Sequence, residues 1–239
     1  MAKQKAKLKS KAKSAAKSAP KPQPTSKPKL VSKSARGKPA RKPDVLDPVV
    51  MTVIANRLDG IVREMTNTLL RAARSAVISS ARDFYCCILI GDNQLLASAE
   101  GLPVHIFGAH LQGENLSRYH AGDIRDGDAY LDNDPYGGNT HPADHTFLVP
   151  VFIDGEHLFT TVAKCHMADI GNSIPSSYFA KALDVYEEGA LVFPGVRIQR
   201  DYKNEPDVIR MCRARIRVPD QCTATRSPHW APPALPSAG

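Results

Sequence analysis

Apolar residues recur at helical spacing in the first apolar-rich segment of the chain. After Asp47 and Pro48, apolar side chains return every three or four residues, as expected for one face of an α-helix. An aspartate followed by a proline suits a helix start, with the carboxylate as N-cap and the proline at the first helical position. The pattern therefore predicts a long amphipathic helix with one apolar stripe, which covers a sheet or packs on another subunit, with packing on the core as the default. This stripe comprises Val50, Ile54, Leu58, Ile61, Met65, Leu69, Ala72 and Ala76.

Runs of β-branched and aromatic residues predict two hairpins after this helix. The first has strands at residues 84–90 and 94–97, and the second has strands at 146–153 and 157–165 with Asp154-Gly155 as the turn. Further patterns predict helices at 106–120, 178–188 and 207–217 and a short strand at 128–131. Together these elements predict an α+β fold, in which a long N-terminal helix accompanies antiparallel hairpins that form a mixed sheet flanked by helices.

Two His-x-x-Asp units lie just outside the ends of the second hairpin. They are His141 to Asp144 and His166 to Asp169. With a two-residue turn, Asp144 faces Cys165, and a loop longer by one or two residues moves it opposite His166. Facing residues lie roughly 4.5 to 5.5 Å apart. The hairpin therefore predicts that His141, Asp144 and His166 converge.

Two imidazoles and a carboxylate are a suitable ligand set for Zn, Mn or Fe, with positions left open for substrate or water. Asp169 is a candidate fourth ligand, or a group that orients an imidazole. The alternative is structural, because the chain has eight histidines and a single His-x-x-Asp unit arises easily by chance. The glycine-containing stretch before His141, residues 133–140, is predicted to bring backbone N–H groups close to an anion or substrate.

The first 43 residues differ in composition from the rest. They contain 13 Lys and 2 Arg and no Asp or Glu, which gives them a charge of +15. Since the whole chain carries +8, residues 44–239 carry −7. Such a segment is predicted to be disordered, because it cannot bury enough apolar surface to offset its ordering entropy. It is a candidate for nucleic-acid binding, but a solubilising tail is the favoured interpretation.

The cysteine pattern and the hydropathy of the chain indicate the cellular compartment of the protein. The five cysteines show no disulfide framework and no Cys-x-x-Cys metal knuckle. There is no apolar run of membrane-spanning length and no secretory signal. These features predict a cytoplasmic protein without membrane association.

Several motifs, in order along the chain, closely resemble the hydantoinase B/oxoprolinase family. The clearest are Asp-Asn-Asp-Pro-Tyr-Gly-Gly-Asn-Thr-His-Pro-Ala-Asp-His-Thr at residues 132–146 and His-Met-Ala-Asp-Ile-Gly at residues 166–171. The resemblance begins near Asp47, continues through residues 80–86 and 103–105, and fades near 217–219. The family includes the B-type subunits of ATP-dependent hydantoinases, the corresponding half of 5-oxoprolinase, and large subunits of acetone and acetophenone carboxylases.

This resemblance implies a metal-dependent enzyme subunit. In carboxylase relatives the metal is held by a histidine, an aspartate three residues on and a later histidine, which correspond here to His141, Asp144 and His166. The resemblance implies a divalent metal, Zn or Mn, and a cyclic amide or ketone substrate. It also implies a hydantoinase A-type ATPase partner that binds ATP, since this chain has no GxxxxGK[ST] loop. His145 and Asp169 are candidates for proton transfer or for orienting ligands.

Asp83 and His105 lie on matching segments and are further candidates for these supporting roles. The domain organisation expected is a tail at 1–43, a hydantoinase B/oxoprolinase-like domain at 44–221, and an aberrant or truncated end at 222–239, where four prolines occur. This end suggests an incomplete family fold. The alternative function is accordingly a catalytically inactive fragment whose basic tail binds nucleic acid or protein.

Overall fold

The computed structural model describes residues 47–73, 75–99 and 101–219. All of them fall within the unit Leu46–Gly239. The predicted tails at 1–43 and 222–239 lie outside the described residues. Among the described helices, none combines the length and apolar character of a membrane span.

One seven-stranded sheet forms the centre of the fold. Its order is β2-β1-β5-β4-β3-β6-β7, and every neighbouring pair is antiparallel, so the α+β prediction is confirmed while the sheet is wholly antiparallel rather than mixed. The strands are β1 (Phe84–Ile90), β2 (Leu95–Ser98), β3 (Ala129–Asp132), β4 (Asp144–Ile153), β5 (Glu156–His166), β6 (Val196–Arg200) and β7 (Lys203–Asn204).

Helices cover both faces of the sheet. In chain order they are α1 (Pro48–Ala72), α2 (Ala76–Ser79), α3 (Ala109–Tyr119), α4 (Val185–Glu188) and α5 (Pro206–Arg215), with 3-10 turns at Pro103–His105 and Pro135–Gly137. The start of α1 is as predicted, because the Asp47 carboxylate accepts a hydrogen bond from the Val49 N–H at 2.8 Å. Apolar positions on successive strand residues point to opposite faces, which gives the sheet its two buried sides.

The two faces have separate cores. On one, Val62 and Met65 of α1 pack on Cys86 and Ile88 of β1. On the other, Leu116 of α3 joins alternate strand residues in a second cluster, which comprises Tyr85, Cys87, Leu89, Ala109, Leu116, Tyr130, Leu148 and Val162. The predicted stripe therefore packs through its middle, from Leu58 to Leu69, whereas its first residues are exposed. Its last residue, Ala76, is exposed and belongs to the separate helix α2.

The β4–β5 hairpin has the predicted turn and a register that the turn alone does not give. Ile153 pairs with Glu156, as expected for a two-residue Asp154-Gly155 turn, but the register shifts by one between Val151 and Phe152. Leu158 is the extra residue of this bulge, since His157 pairs with Phe152 and Phe159 with Val151. Asp144 consequently faces His166 and not Cys165. A bulge in the strand, rather than a longer loop, produces the alignment.

Two predicted elements need correction, and two strands were not predicted. Only Val185–Glu188 of the predicted helix 178–188 is helical. The helix predicted at 106–120 is preceded by a 3-10 turn and spans Ala109–Tyr119. Strands β6 and β7 were not predicted, although Val196 to Gln199 of β6 alternate apolar and polar residues; β7 has only two residues, both polar.

Candidate metal centre

Strands β4 and β5 bring Asp144 and His166 together at the end of the hairpin far from its turn. The two residues are register partners, and His166 Nδ1 lies 3.1 Å from Asp144 Oδ1. Both side chains are buried, with Asp144 at 0% exposure. They point to the α3 face of the sheet, as do Thr146 and Lys164 two pairs further along the strands.

His141 joins the pair from the turn that leads into β4. Its Nδ1 lies 2.9 Å from Asp144 Oδ2, and its side chain remains 35% exposed. The Asn139 amide fixes this turn by donating to the carbonyl oxygens of His141 and Asp144 at 2.8 and 2.7 Å. The Thr140 hydroxyl also donates to Asp144 Oδ2. The three residues predicted to converge are therefore adjacent in space.

Asp83 and His105 complete a five-residue cluster. Because Phe84 of β1 pairs with Cys165, Asp83 lies beside His166, whose backbone N–H donates to the Asp83 carbonyl oxygen at 3.0 Å. Asp83 Oδ2 is 3.6 Å from His166 Nδ1. The His105 Nε2–H donates to Asp83 Oδ1 at 2.8 Å, and His105 Nδ1 lies 3.4 Å from Asp144 Oδ2.

The donor set of this cluster fits a divalent cation. Two groups of three residues, His141, Asp144 and His166 and then Asp83, His105 and Asp144, each offer ligand atoms that lie within 4.8 Å of one another. Imidazole nitrogens and carboxylate oxygens in such proximity are ligands that Zn and Mn accept. Because Asp144 belongs to both groups, its carboxylate is the centre of the arrangement.

The electrostatics of Asp144 and His141 are coupled. Burial alone would raise the pKa of the Asp144 carboxyl, but hydrogen bonds from His141, His166 and Thr140 outweigh it and hold that pKa below its usual value. Burial lowers the pKa of His141, and the hydrogen bond and charge of Asp144 more than compensate, so that this pKa is raised. Asp144 is therefore an anion that attracts positive charge.

The other two predicted site residues lie elsewhere. His145 follows Asp144 in β4 and so points to the opposite face, where its ring lies 6.0 Å from that of Phe193. Burial lowers the pKa of His145 to about 4, which keeps its imidazole neutral. The Asp169 carboxylate accepts hydrogen bonds from the backbone N–H groups of Gly171 and Arg217 at 2.9 and 2.6 Å. These bonds fix the chain after α5.

Tyr178 lies on the open side of the cluster and was not singled out from the sequence. Its ring centroid is 5.7 Å from that of His141 and 5.9 Å from that of His166. The side chain is half-exposed. It belongs to the segment predicted as a helix, where nothing in the pattern pointed towards the histidines.

The stretch before His141 bonds internally. Backbone N–H groups of Gly137 and Asn139 both donate to the Asp134 carbonyl oxygen, and the Tyr136 N–H donates to the Asp134 carboxylate. These donors are thus occupied within the loop. The predicted approach of backbone N–H groups to an anion has no support from these three positions.

Behind the cluster lies a buried polar row. The Gln112 amide of α3 donates to Asp132 at 2.9 Å and to Thr146 at 3.0 Å. Burial raises the pKa of Asp132 to about 6. Lys164, fully buried in β5, has a pKa lowered to about 8 by burial, although the charges of Asp144 and Asp132 oppose this shift.

Comparison with known proteins identifies relatives. The sequence profile described as hydantoinase B/oxoprolinase matches residues 47–225. Caprolactamase subunit beta of Pseudomonas jessenii is 29% identical over 174 residues, which are 73% of this chain and 30% of that protein. The 5-oxoprolinase of Dictyostelium discoideum is 28% identical over 178 residues, which are 73% of this chain and 14% of that protein.

Solved structures agree with this assignment. The ATP-dependent caprolactamase from Pseudomonas jessenii superposes with a TM-score of 0.68 at 29% identity, over 73% of this chain and 30% of that chain. Acetone carboxylase in its nucleotide-free form superposes with a TM-score of 0.67 over 74% and 24% of the two chains, and at 18% identity it shows the fold alone. Because the family profile covers most of its described residues, the chain belongs to the hydantoinase B/oxoprolinase family.

Proposed function

We propose that the cluster binds one divalent metal ion, Zn or Mn, through His141, Asp144, His166 and Asp83. The observation that carries the proposal is the position of Asp144, which is fully buried and lies against His141 and His166 on its two carboxylate oxygens. Asp83 Oδ2 lies 3.6 Å from the same His166 Nδ1. A buried carboxylate is costly unless its charge is compensated, and a cation among these donors compensates it.

We propose further that this chain acts in the ATP-dependent hydrolysis of a cyclic amide. The support is the similarity to a caprolactamase subunit and to 5-oxoprolinases, which covers 73% of this chain. The likeness to acetone carboxylase is a likeness of fold, so ketone carboxylation is the second candidate. A hydantoinase A-type ATPase would bind ATP as the partner subunit, since this chain lacks a GxxxxGK[ST] loop.

The role proposed for each residue of the cluster follows from its position. A metal bound there would supply Lewis acidity towards a substrate oxygen and lower the pKa of coordinated water. His141 and Tyr178 border the solvent-facing side, so substrate approaches past them. Asp144 and His166 lie beneath, and the covered polar row with Lys164 keeps bulk water from that side. His145 supports the fold around the site from the opposite face of the sheet, and Asp169 does so through its hydrogen bonds to backbone N–H groups.

Metal content tests the site directly. Purified chain, dialysed against Zn²⁺ or Mn²⁺ and then against buffer, is expected to retain about one ion per chain by elemental analysis, the number that a single site of this kind holds. His141→Ala should abolish this retention. The matched control is His157→Ala, which alters a half-buried histidine near the other end of the same hairpin, where it contacts Thr160. Equal retention in the His141 variant and the control would reject the ligand assignment.

Activity tests the reaction. The metal-loaded chain is mixed with a hydantoinase A-type ATPase subunit and ATP, and the hydrolysis of 5-oxoproline, caprolactam and hydantoin is followed with ADP release. Hydrolysis that requires both subunits and is lost with His141→Ala supports the proposal. The same mixture is also tested with a ketone and bicarbonate. If it consumes the ketone only with bicarbonate and hydrolyses none of the three cyclic amides, the proposed amide hydrolysis is wrong and ketone carboxylation takes its place.

A further inference from the structure

His105 contacts both carboxylates of the cluster. It is buried to 2% exposure at the end of the 3-10 turn Pro103–His105. Its Nε2 is 2.8 Å from Asp83 Oδ1, and its Nδ1 is 3.4 Å from Asp144 Oδ2. The imidazole thus lies between the two carboxylates.

The two oxygens of the Asp83 carboxylate have different partners. Oδ1 accepts the His105 N–H, and Oδ2 faces His166 Nδ1 at 3.6 Å. A carboxylate held by one oxygen cannot rotate freely, so the other oxygen keeps its direction towards the proposed metal position. We infer that His105 is a positioning residue that aims Asp83 Oδ2 at the cation and spaces Asp83 from Asp144. This inference rests on the proposed metal site.

The backbone around His105 is itself fixed. The His105 N–H donates to the Leu102 carbonyl oxygen at 3.1 Å. Three residues later, Gly108 lies so close to Gly138 that a Cβ on residue 108 would overlap the Gly138 carbonyl oxygen. The segment that carries His105 is therefore packed on the loop that leads to His141. The segment that carries His105 and the loop that leads to His141 are thus held together by their own packing, which does not depend on a bound cation.

The alternative is that His105 is itself a ligand through Nδ1. A positioning role requires only the N–H that reaches Asp83. Glutamine offers an amide N–H at similar reach, whereas asparagine is polar but too short, and leucine fills the space without a donor. His105→Gln should therefore preserve metal affinity, and His105→Asn and His105→Leu should weaken it. The loss of an orienting partner of a metal ligand typically lowers affinity 10- to 100-fold.

The experiment titrates the full chain and each variant with Co²⁺ and Zn²⁺ alone, measuring affinity, stoichiometry and the visible absorption of bound Co²⁺. We expect the Co²⁺ band positions and a stoichiometry near one to persist in all three His105 variants, with affinity close to that of the unaltered chain in His105→Gln and 10- to 100-fold weaker in His105→Asn and His105→Leu. His157→Gln, His157→Asn and His157→Leu are the matched controls. Circular dichroism of each variant identifies loss of fold.

Two results would overturn the inference while leaving the metal site in place. In one, His105→Leu binds as tightly as the unaltered chain. In the other, His105→Gln loses stoichiometric binding or shifts the Co²⁺ bands as His141→Ala does, which would make His105 a ligand. Failure of the unaltered chain to bind either metal would overturn both the site and the role of His105. If His105→Leu fails to fold, the contrast between His105→Gln and His105→Asn decides.

Discussion

Asp83 and His105 show what the sequence could and could not reveal at the level of single residues. The spacing of His141 and Asp144, together with one hairpin, was enough to predict that they meet His166. Asp83 reaches the same point because β1 pairs with β5, and no local pattern specifies which strands become neighbours across a sheet. Contacts between residues distant in sequence depend on such pairings.

His145 shows how adjacency in sequence differs from adjacency in space. It is adjacent to Asp144 in sequence and was assigned a supporting role in the site, yet alternate side chains of a strand point to opposite faces. Its imidazole is buried beside Phe193, where it contributes to packing. Proximity in sequence within a strand therefore argues against shared membership of a site.

Asp132 gives a prediction about pH. Its pKa in the folded chain is raised to about 6, mainly by burial. A carboxyl group with a raised folded pKa contributes stability that is fully present below its unfolded pKa and is lost as the pH rises through about 6. Asp132→Asn, which cannot ionise, should remove that part of the pH dependence. Since one pKa unit corresponds to about 1.4 kcal/mol, the difference between pH 4 and pH 7 should be at most about 3 kcal/mol.

Urea unfolding at pH 4 and pH 7 measures this difference. The control is Asp154→Asn at the exposed hairpin turn, which should keep the pH dependence of the unaltered chain. If Asp132→Asn has the same difference in unfolding free energy between the two pH values as the control, the buried carboxyl does not titrate as expected.

Tyr178 gives a second prediction at this scale. Its ring lies against both His141 and His166 on the open side of the cluster, so it limits the access of water and chelators to the ligands. Tyr178→Ala should release bound Zn²⁺ to a chelator faster than the unaltered chain, and Tyr178→Phe, which keeps the ring, should not. The control is Tyr186→Ala, at a tyrosine that is 89% exposed on the same stretch of chain. Equal release rates in the Tyr178→Ala and Tyr186→Ala variants would show that the ring does not cover the site.

At the level of elements, the long helix, both hairpins and the turn of the second were predictable, and the register of β4 on β5 was not. Asp154-Gly155 specifies a tight turn through its backbone conformation, with φ values of 53° and 80°. Leu158 is apolar like Phe159 after it, so nothing marks it as the extra residue of a bulge. Yet that single residue determines whether Asp144 faces His166 or Cys165.

The 3-10 turn and α3 yield a prediction about packing. Gly108 has an ordinary negative φ, so its lack of a side chain matters for space and not for backbone conformation. A methyl group there would overlap the Gly138 carbonyl oxygen and push the turn that carries His105 away from the loop that leads to His141. Gly108→Ala should lower both the unfolding free energy and the affinity for Zn²⁺.

A matched control exists in α1. A Cβ at Gly60 meets no atom within 4 Å. Gly60→Ala should raise stability by roughly 0.5 to 1 kcal/mol, because alanine favours a helix interior over glycine, and should leave metal affinity unchanged. Denaturant unfolding and Zn²⁺ titration of the two variants check both expectations. Gly108→Ala with unaltered metal affinity would show that the turn and the loop are not coupled.

At the scale of the whole molecule, the first turns of α1 carry an apolar surface that is exposed. The sequence predicts a stripe that packs on the core or on another subunit, and Val62 and Met65 pack on the core. Val50 and Ile54, earlier on the same stripe, are 47% and 48% exposed, and three more apolar residues of these turns, Val49, Met51 and Val53, are exposed as well. A contiguous apolar surface of this kind is typical of a surface that associates.

We therefore predict that the isolated chain self-associates through the first turns of α1. Sedimentation velocity should show an average sedimentation coefficient that rises with protein concentration. The double variant Val50→Glu and Ile54→Glu should remain monomeric over the same range, because two carboxylates one helical turn apart oppose burial of that surface. The matched control is Thr52→Glu with Asn56→Glu, which adds the same charge at the same spacing on exposed positions of the same helix. If both double variants abolish association equally, added charge and not the apolar surface is responsible, and a monomeric unaltered chain at every concentration would contradict the prediction outright.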